Sequence, residues 1–244
     1  MKTPVCVILA ASVAMFSSCD KKSSEKEINA ETTNEATEDL VESDTPLLPV
    51  KVGDYWKYQV SVEIPAGITS PGASGVETEM EKVRTYIGKV SLGNDLPDVD
   101  AFDVTVPGES LERELVEITD SAILLRGTAH PEILDSPAKW LDPPVPFVFA
   151  GMRAGNKMAE LSVQDGARNR GLKVVGREEV KVPLGDFNAI RLLMTGNDGK
   201  FELRRTTWFV PQVGIVKEEK TRYSDGKLLF RETTVLIETS VKQD

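Results

Sequence analysis

Hydrophobic and polar residues alternate one by one along much of the chain. In YWKYQVSVEI, residues 55–64, every second residue is large and apolar, and the residues between are mostly polar or charged. The apolar set is Trp56, Tyr58, Val60, Val62 and Ile64. Successive side chains of a β-strand point to opposite faces. The pattern therefore predicts an antiparallel strand with one buried face and one wet face.

The same period continues in the first half of the chain. Further strands are predicted at 81–92, 102–106, 112–119 and 122–129. Asp120-Ser121 lies between the last two and predicts a hairpin turn. An alternative for this region is a helix beginning at Ser110, because Glu112 and Glu114 suit a first helical turn.

Turn signals separate the strands of the second half. Strands are predicted at 172–182, 187–194, 201–210, 213–223 and 228–241. Asp225-Gly226 is a strong hairpin signal, since both central residues of a type I′ turn need positive φ. No ten-residue helical pattern appears here. Consecutive hairpins produce a meander, so the sequence predicts a mainly β fold, an antiparallel meander curled into a half-barrel or open barrel.

The pattern is different at the N-terminus. After Met1 and Lys2, residues 5–16 are all apolar or small, a run typical of a secretory h-region and shorter than the ~20 residues that span a bilayer. The next segment, Phe16-Ser17-Ser18-Cys19, resembles a bacterial lipobox. The resemblance implies a lipoprotein signal peptide over 1–18, cleaved before Cys19, whose thiol carries the lipid. The alternative is an ordinary signal peptide followed by an incidental cysteine.

The cysteine count agrees with lipidation at Cys19. The only other cysteine, Cys6, lies inside the h-region and is lost on cleavage, so the mature chain can form no intramolecular disulfide. Two or three acyl chains, at ~0.8 kcal/mol per buried CH₂, give stable anchoring. The predicted location is thus the bacterial cell envelope, with the chain anchored to membrane lipid and facing the periplasm.

An acidic segment follows the cysteine. Residues 20–45 hold nine acidic residues and three lysines, which is more than half of the chain's net charge of −10. Only Ile28, Leu40 and Val41 are large aliphatic residues, too few to offset the entropy of ordering. The sequence predicts a disordered tether over 19–45 and a single β-rich domain over 46–244. That domain is mildly acidic with no basic stripe, so no nucleic-acid partner is expected.

Four segments, in this order, resemble a group of secreted bacterial β proteins, many of them lipoproteins. They are LPVKVGDYWKY (48–58), LDPPVPFVF (141–149), VPLGDFNAIR (182–191) and WFVPQVGIVK (208–217). The group opens with a Gly-x-x-Trp-x-Tyr strand and closes with a Trp-Phe…Val-Gly-Ile-Val-Lys hairpin. The resemblance implies an antiparallel, half-barrel-like sheet and brings no assigned activity.

The chain shows no pattern typical of catalysis. His130 is the single histidine and precedes a proline, which predicts a solvated loop residue, and no serine nucleophile motif accompanies it. The acids of 95–103 do not have the spacing of a calcium loop and predict an acidic surface turn. Trp140 adjoins the proline-rich segment and is expected at the surface. We expect no catalytic residue, cofactor or metal.

Three functions fit these observations unequally. The first is a non-enzymatic, lipid-anchored envelope protein whose domain binds an envelope partner or has a structural role. The alternative is a carrier or sensor that holds an apolar ligand in the concavity of the half-barrel. An envelope hydrolase using carboxylates is the weakest. A carrier requires exposed apolar residues on the concave face and a cavity of several hundred Å³, roughly as in other ligand sites.

Overall fold

The structure is a computed structural model. It describes residues 39–41, 46–68, 70, 72–93, 96–132, 138–163, 168–197 and 200–241. Within these ranges there are strands and no helix. The strands are β1 (Tyr55–Ile64), β2 (Val76–Val90), β3 (Val99–Thr105), β4 (Glu112–Ile118), β5 (Ala122–Ala129), β6 (Lys139–Phe149), β7 (Lys157–Val163), β8 (Arg168–Val182), β9 (Gly185–Asn197), β10 (Glu202–Val210), β11 (Gly214–Ser224) and β12 (Lys227–Thr239).

All of these strands belong to one sheet. Its order is β6-β5-β4-β3-β2-β1-β12-β11-β10-β9-β8-β7, with antiparallel pairing throughout. The first and last strands of the chain pair at the centre, and each half of the chain extends outward as a meander. β6 and β7 follow each other in sequence but form opposite edges. The predicted antiparallel meander is therefore confirmed, and its sheet is open.

The sheet curls until distant strands face each other. The ring centroids of Phe147 in β6 and Phe209 in β10 are 6.1 Å apart, although seven strands separate β6 from β10 in the sheet order. On the other half, the Leu184 amide, in the turn between β8 and β9, donates to the Leu236 carbonyl of β12 at 3.4 Å. The main hydrophobic core lies inside this curl, on the concave face.

The helix predicted as an alternative at Ser110 is wrong, because residues 112–118 form β4. Glu112 and Glu114 pair with β3, opposite Val104 and Phe102. The neighbouring Leu115 and Val116 are both buried, one in each of two clusters on opposite sides of the sheet. A strand places adjacent apolar residues on two faces, whereas a helix would turn both toward one side.

The proline-rich segment is an edge strand rather than a surface loop. β6 contains Pro143, Pro144 and Pro146 and pairs only with β5. Proline lacks an amide proton, and an edge strand has one side that needs no ladder hydrogen bond. The expectation that Trp140 is exposed is wrong. It is half-buried against the smaller cluster of Val99, Ala101 and Leu115.

Three residues of the predicted tether pack on the domain. Val41 is only 3% exposed. The Leu40 amide donates to the Met152 carbonyl at 2.7 Å, and Asp39 forms an ion pair with Arg153 at 2.6 Å. For these residues the expectation of disorder is wrong, because the two aliphatic side chains find an apolar site beside the connection between β6 and β7. The packed structure thus includes residues before the predicted boundary at 46.

The predicted anchor lies outside the described residues. This applies to the signal peptide at 1–18, to Cys19 and to residues 20–38 and 42–45 of the tether. Where the structure does describe the chain, it contains no helix of sufficient length and apolar character to cross a bilayer.

Candidate functional site

Two of the segments that carry the family resemblance pack directly against each other. The Trp56 indole Nε1 donates to the Val213 carbonyl at 2.6 Å, and the Tyr58 hydroxyl donates to the Ile215 carbonyl at 3.1 Å. Gly214 lies between these acceptors with φ +103°, and a Cβ there would lie 3.2 Å from Trp56 Nε1. The opening strand and the closing hairpin therefore form one packing unit. Trp56 has no exposed surface, which confirms that its face is the core.

Side chains fill the apolar part of the concave face. Trp56 and Phe102 meet edge to face with ring centroids 5.7 Å apart, and Phe102 also contacts the Tyr86 ring at 5.2 Å. Each of the largest members of this core is at most 1% exposed; they are Trp56, Phe102, Ile190, Leu192, Phe209 and Leu236. This part of the concavity therefore presents no open apolar surface.

Charged residues occupy the other part of the concave face, and we call this region the charged cleft. Strand register places Glu218 opposite Thr207 and Thr234, and Lys220 opposite Arg205 and Glu232. On the other side of the centre, Lys82 lies opposite Tyr58. The cleft is lined by Lys82, Arg84, Glu114, Arg205, Glu218, Lys220 and Glu232.

Ion pairs connect most of these groups. Glu218 accepts from Arg205 at 2.5 Å and contacts the Lys220 ammonium at 3.2 Å, and Lys220 also reaches Glu232 at 2.8 Å. Arg84 pairs with Glu114 at 2.7 Å. The Glu218 side chain is 4% exposed, whereas those of Arg205 and Lys220 are 32% and 40% exposed. The carboxylate thus lies at the floor of the cleft, and the cations line its open side.

The electrostatics of the cleft favour charged groups. Burial raises the pKa of Glu218, but Arg205, Lys220 and Lys82 outweigh burial and hold that pKa well below its usual range. Burial likewise raises the pKa of Glu114, and Arg84 and Lys82 lower it further than burial raises it. For Lys220, burial lowers the pKa, and the attraction of Glu218 and Glu232 produces a net rise. These residues are ionised at neutral pH.

Lys82 differs from the other cations. Burial lowers its pKa and Lys220 lowers it further, while Glu218, Glu232 and Glu114 act in the opposite direction. Its ammonium lies 5.3 Å from the centre of the Tyr58 ring, a cation–π distance. Among the described residues, no carboxylate oxygen lies within 4.0 Å of its Nζ.

The other sequence candidates do not join the cleft. His130 is a loop residue, as predicted, but it is half-buried, and its Nδ1 atom is buried without a hydrogen-bond partner. Asp100 is buried rather than part of a surface turn. It accepts from the Tyr86 hydroxyl at 2.7 Å, and burial together with this bond raises the pKa of Tyr86 to about 12. In the described part of the chain, no three His, Cys, Asp or Glu residues are grouped as metal ligands.

A groove of about 560 Å³ lies at one end of the sheet, near the ends of β1, β2 and β12. Its lining is mostly polar or charged and includes Glu63, Glu77, Glu79 and Arg231. Arg231 pairs with Glu63 at 2.9 Å. Such a lining does not suit an apolar ligand.

Sequence reasoning did not identify the charged cleft. Its signal is present in β2, where alternation places Lys82 and Arg84 on the same face as the buried Tyr86. A charged residue on an apolar face indicates either a partner or a polar site, and a single strand does not reveal which. Glu218 and Glu219 point to opposite faces, as their adjacency predicts, and only Glu218 enters the cleft.

Comparison with known proteins gives one structural likeness. No protein-family model matches the chain, and no curated protein matches it. Among solved structures, the fold is similar to a YmcC-like protein of Bacteroides fragilis, provisionally described as exported. The TM-score is 0.41 and the identity 12%, over 80% of this chain and 99% of that chain. A likeness at this level assigns neither a family nor a function.

Proposed function

We propose that this protein is a lipid-anchored bacterial envelope protein with a non-enzymatic β domain, which binds an envelope partner or has a structural role. The lipobox-like Phe16-Ser17-Ser18-Cys19 and the acidic segment after it support the anchor. In this proposal, Cys19 carries the lipid and holds the domain to a membrane on its periplasmic side.

The filled concave face is the observation that favours this role over carriage of an apolar ligand. A carrier needs an apolar concavity that is open in the absence of its ligand. Here the aromatic and aliphatic side chains of the concave face contact one another, and Trp56 and Phe102 are fully buried. The exposed part of the concavity is charged instead. Recognition of a polar or charged partner fits this surface better.

Metabolic labelling with palmitate tests the anchor. We expect wild-type protein to be labelled and to fractionate with membranes, and Cys19→Ser to lose both properties, because the thiol is the attachment atom. Cys6→Ser is the matched control and should behave as wild type, since Cys6 lies within the predicted signal peptide. Labelling of Cys19→Ser at the wild-type level would overturn the proposal.

The same preparation tests the carrier alternative. Cys19→Ser protein purified without detergent should release no stoichiometric lipid on solvent extraction, as judged by mass spectrometry. Lipid recovered in a one-to-one ratio would instead establish carriage of an apolar ligand.

A further inference from the structure

The charged cleft carries one more cation than anion. Its three carboxylates, on Glu114, Glu218 and Glu232, each contact a cation at 3.2 Å or less. The four cations are Lys82, Arg84, Arg205 and Lys220, and only Lys82 lacks a carboxylate contact within the described structure. A half-buried ammonium without a counterion is unfavourable, because it loses hydration and gains no ion pair.

Lys82 is held facing the centre of the cleft. It lies opposite Tyr58, and its Nζ lies 5.3 Å from the Tyr58 ring, which restricts its approach to the concave side. Lys220 and Glu218 approach from β11, and Glu232 from β12, while Glu114 lies on the β4 side. The ammonium is therefore placed between the two halves of the curled sheet.

A second polar group in the same region lacks a partner. Thr234 is 1% exposed, and its Oγ1 atom has no hydrogen-bond partner in the structure. It lies opposite Val60 on β1 and Glu218 on β11, so the three side chains share the concave face. A buried hydroxyl without a hydrogen bond costs about 1–3 kcal/mol. A threonine hydroxyl can donate to an oxyanion.

We propose that the charged cleft binds an oxyanion, the carboxylate or phosphate group of a small ligand, with the Lys82 ammonium as its charge partner and the Thr234 hydroxyl as a hydrogen-bond donor. The excess positive charge selects an anion over a cation. Arg205 and Lys220, which are partly exposed at the cleft, add to the attraction at its entrance. The three glutamates repel an anion that approaches elsewhere, so they confine it to the side of Lys82.

This inference goes beyond the proposed function and does not depend on the lipid anchor. It is therefore tested in the full-length Cys19→Ser chain, which has no acylated cysteine whether or not the wild type is lipidated. The probes are inorganic phosphate and acetate, each compared with chloride at equal ionic strength. The readout is the thermal unfolding midpoint, which a ligand of the folded state raises.

We expect phosphate or acetate to raise the midpoint, by about 3 °C at ten times its dissociation constant. The anion with the larger effect identifies the group that the cleft prefers. Lys82→Met should abolish the rise, and Lys82→Arg should retain part of it. Lys57→Met is the matched control, because Lys57 lies on the outer face of the neighbouring strand and pairs with Glu81 at 3.0 Å. It should leave the rise unchanged.

Two results would overturn the inference. One is a midpoint that neither anion raises in the Cys19→Ser chain. The other is an equal rise in the Lys82→Met and Lys57→Met variants, since the binding would then not depend on the cleft. A second measurement covers reduced stability of the Lys82 variants. Titration of the Cys19→Ser chain with the preferred anion, followed by NMR, should shift the Thr234 amide signal, and an unshifted signal counts against the proposal.

Discussion

At the scale of single residues, Trp56 connects the two ends of the domain. Its indole is fully buried, contacts Phe102 and donates to the Val213 carbonyl at 2.6 Å. The tryptophan thereby joins the first strand to a hairpin 157 positions later in the chain. Its volume and its hydrogen bond both contribute to stability, and substitutions can separate the two effects.

Replacing Trp56 by alanine should lower the free energy of unfolding by about 3–5 kcal/mol, through lost burial and a residual cavity. Trp56→Phe keeps most of the volume and should lose less, mainly the hydrogen bond to Val213. Equilibrium denaturation of each variant measures both values. Val52→Ala is a suitable control, since Val52 is 73% exposed. A loss below about 1 kcal/mol in Trp56→Ala contradicts the core position of this residue.

Gly214 should tolerate substitution less well than a glycine in open space. At Gly214 a Cβ would meet Trp56 Nε1 at 3.2 Å and Leu48 Cδ1 at 3.4 Å, with φ at +103°. At Gly72, φ is +81° and no atom lies within 4 Å of the added Cβ. Both alanine variants carry backbone strain of about 1 kcal/mol, and Gly214→Ala adds the steric clash. Chemical denaturation should show the larger loss for Gly214→Ala, and equal losses would argue against the close packing.

Glu218 makes stability depend on pH in a defined direction. Its pKa is depressed in the fold, so its contribution is fully present above the ordinary glutamate pKa of about 4.3 and is lost as the pH falls through the folded value. Glu218→Gln should lower stability by about 1.5–3 kcal/mol at neutral pH, since it removes charged hydrogen bonds. The difference from wild type should shrink in acid. Urea midpoints measured across the acid range test this.

Glu219→Gln is the control for that experiment, because Glu219 lies on the opposite face of the same strand. Its effect should be small at every pH. If Glu218→Gln keeps a constant deficit down to the lowest pH measured, the pairing with Arg205 is not the source of the stability.

At the scale of elements, short segments outside the strands secure the open sheet. Residues 39–41 lie beside the connection between the two edge strands, where Gly151 donates to the Val41 carbonyl at 3.2 Å and Arg177 donates to the Leu40 carbonyl at 2.8 Å. On the other side of the core, the Leu47 carbonyl accepts from Gln212 at 2.8 Å. The segment before β1 therefore contacts both halves of the curled sheet.

A chain that starts at residue 46 should be less stable than one that starts at residue 39. Removing Val41 from its site loses about 1.5–3 kcal/mol of burial, which corresponds to a midpoint lower by several degrees. A chain that starts at residue 20 is the control and should match the one that starts at 39. Thermal unfolding of the three chains separates docking of 39–41 from any effect of 20–38. Equal midpoints for all three would show that the docking adds no stability.

At the scale of the whole molecule, the curl of the sheet produces two different environments on one concave face. Aromatic and aliphatic residues pack into a dry core in one part, and charged residues from both halves of the sheet line the other. Glu114 in β4 and Arg205 in β10 act on each other electrostatically, although five strands separate them in the sheet order. The fold thus brings a recognition surface together from residues distant in sequence.

The local alternation of residues was sufficient to predict most strands, the hairpin turns, the open antiparallel meander and the burial of Trp56. These features follow from the period of two, which any strand with one buried face must show. β6 was missed because prolines usually indicate loops, and only its position at the sheet edge makes them compatible with a strand.

The tertiary structure alone decided what the polar residues of the concave face do. Alternation places Lys82 and Glu218 on inward faces, but their positions in sequence do not reveal that β2 and β11 approach each other. The docking of Val41 and the bond from Trp56 to Val213 are likewise long-range. Each depends on how far the sheet curls, which is set by packing across the whole core and by no local pattern.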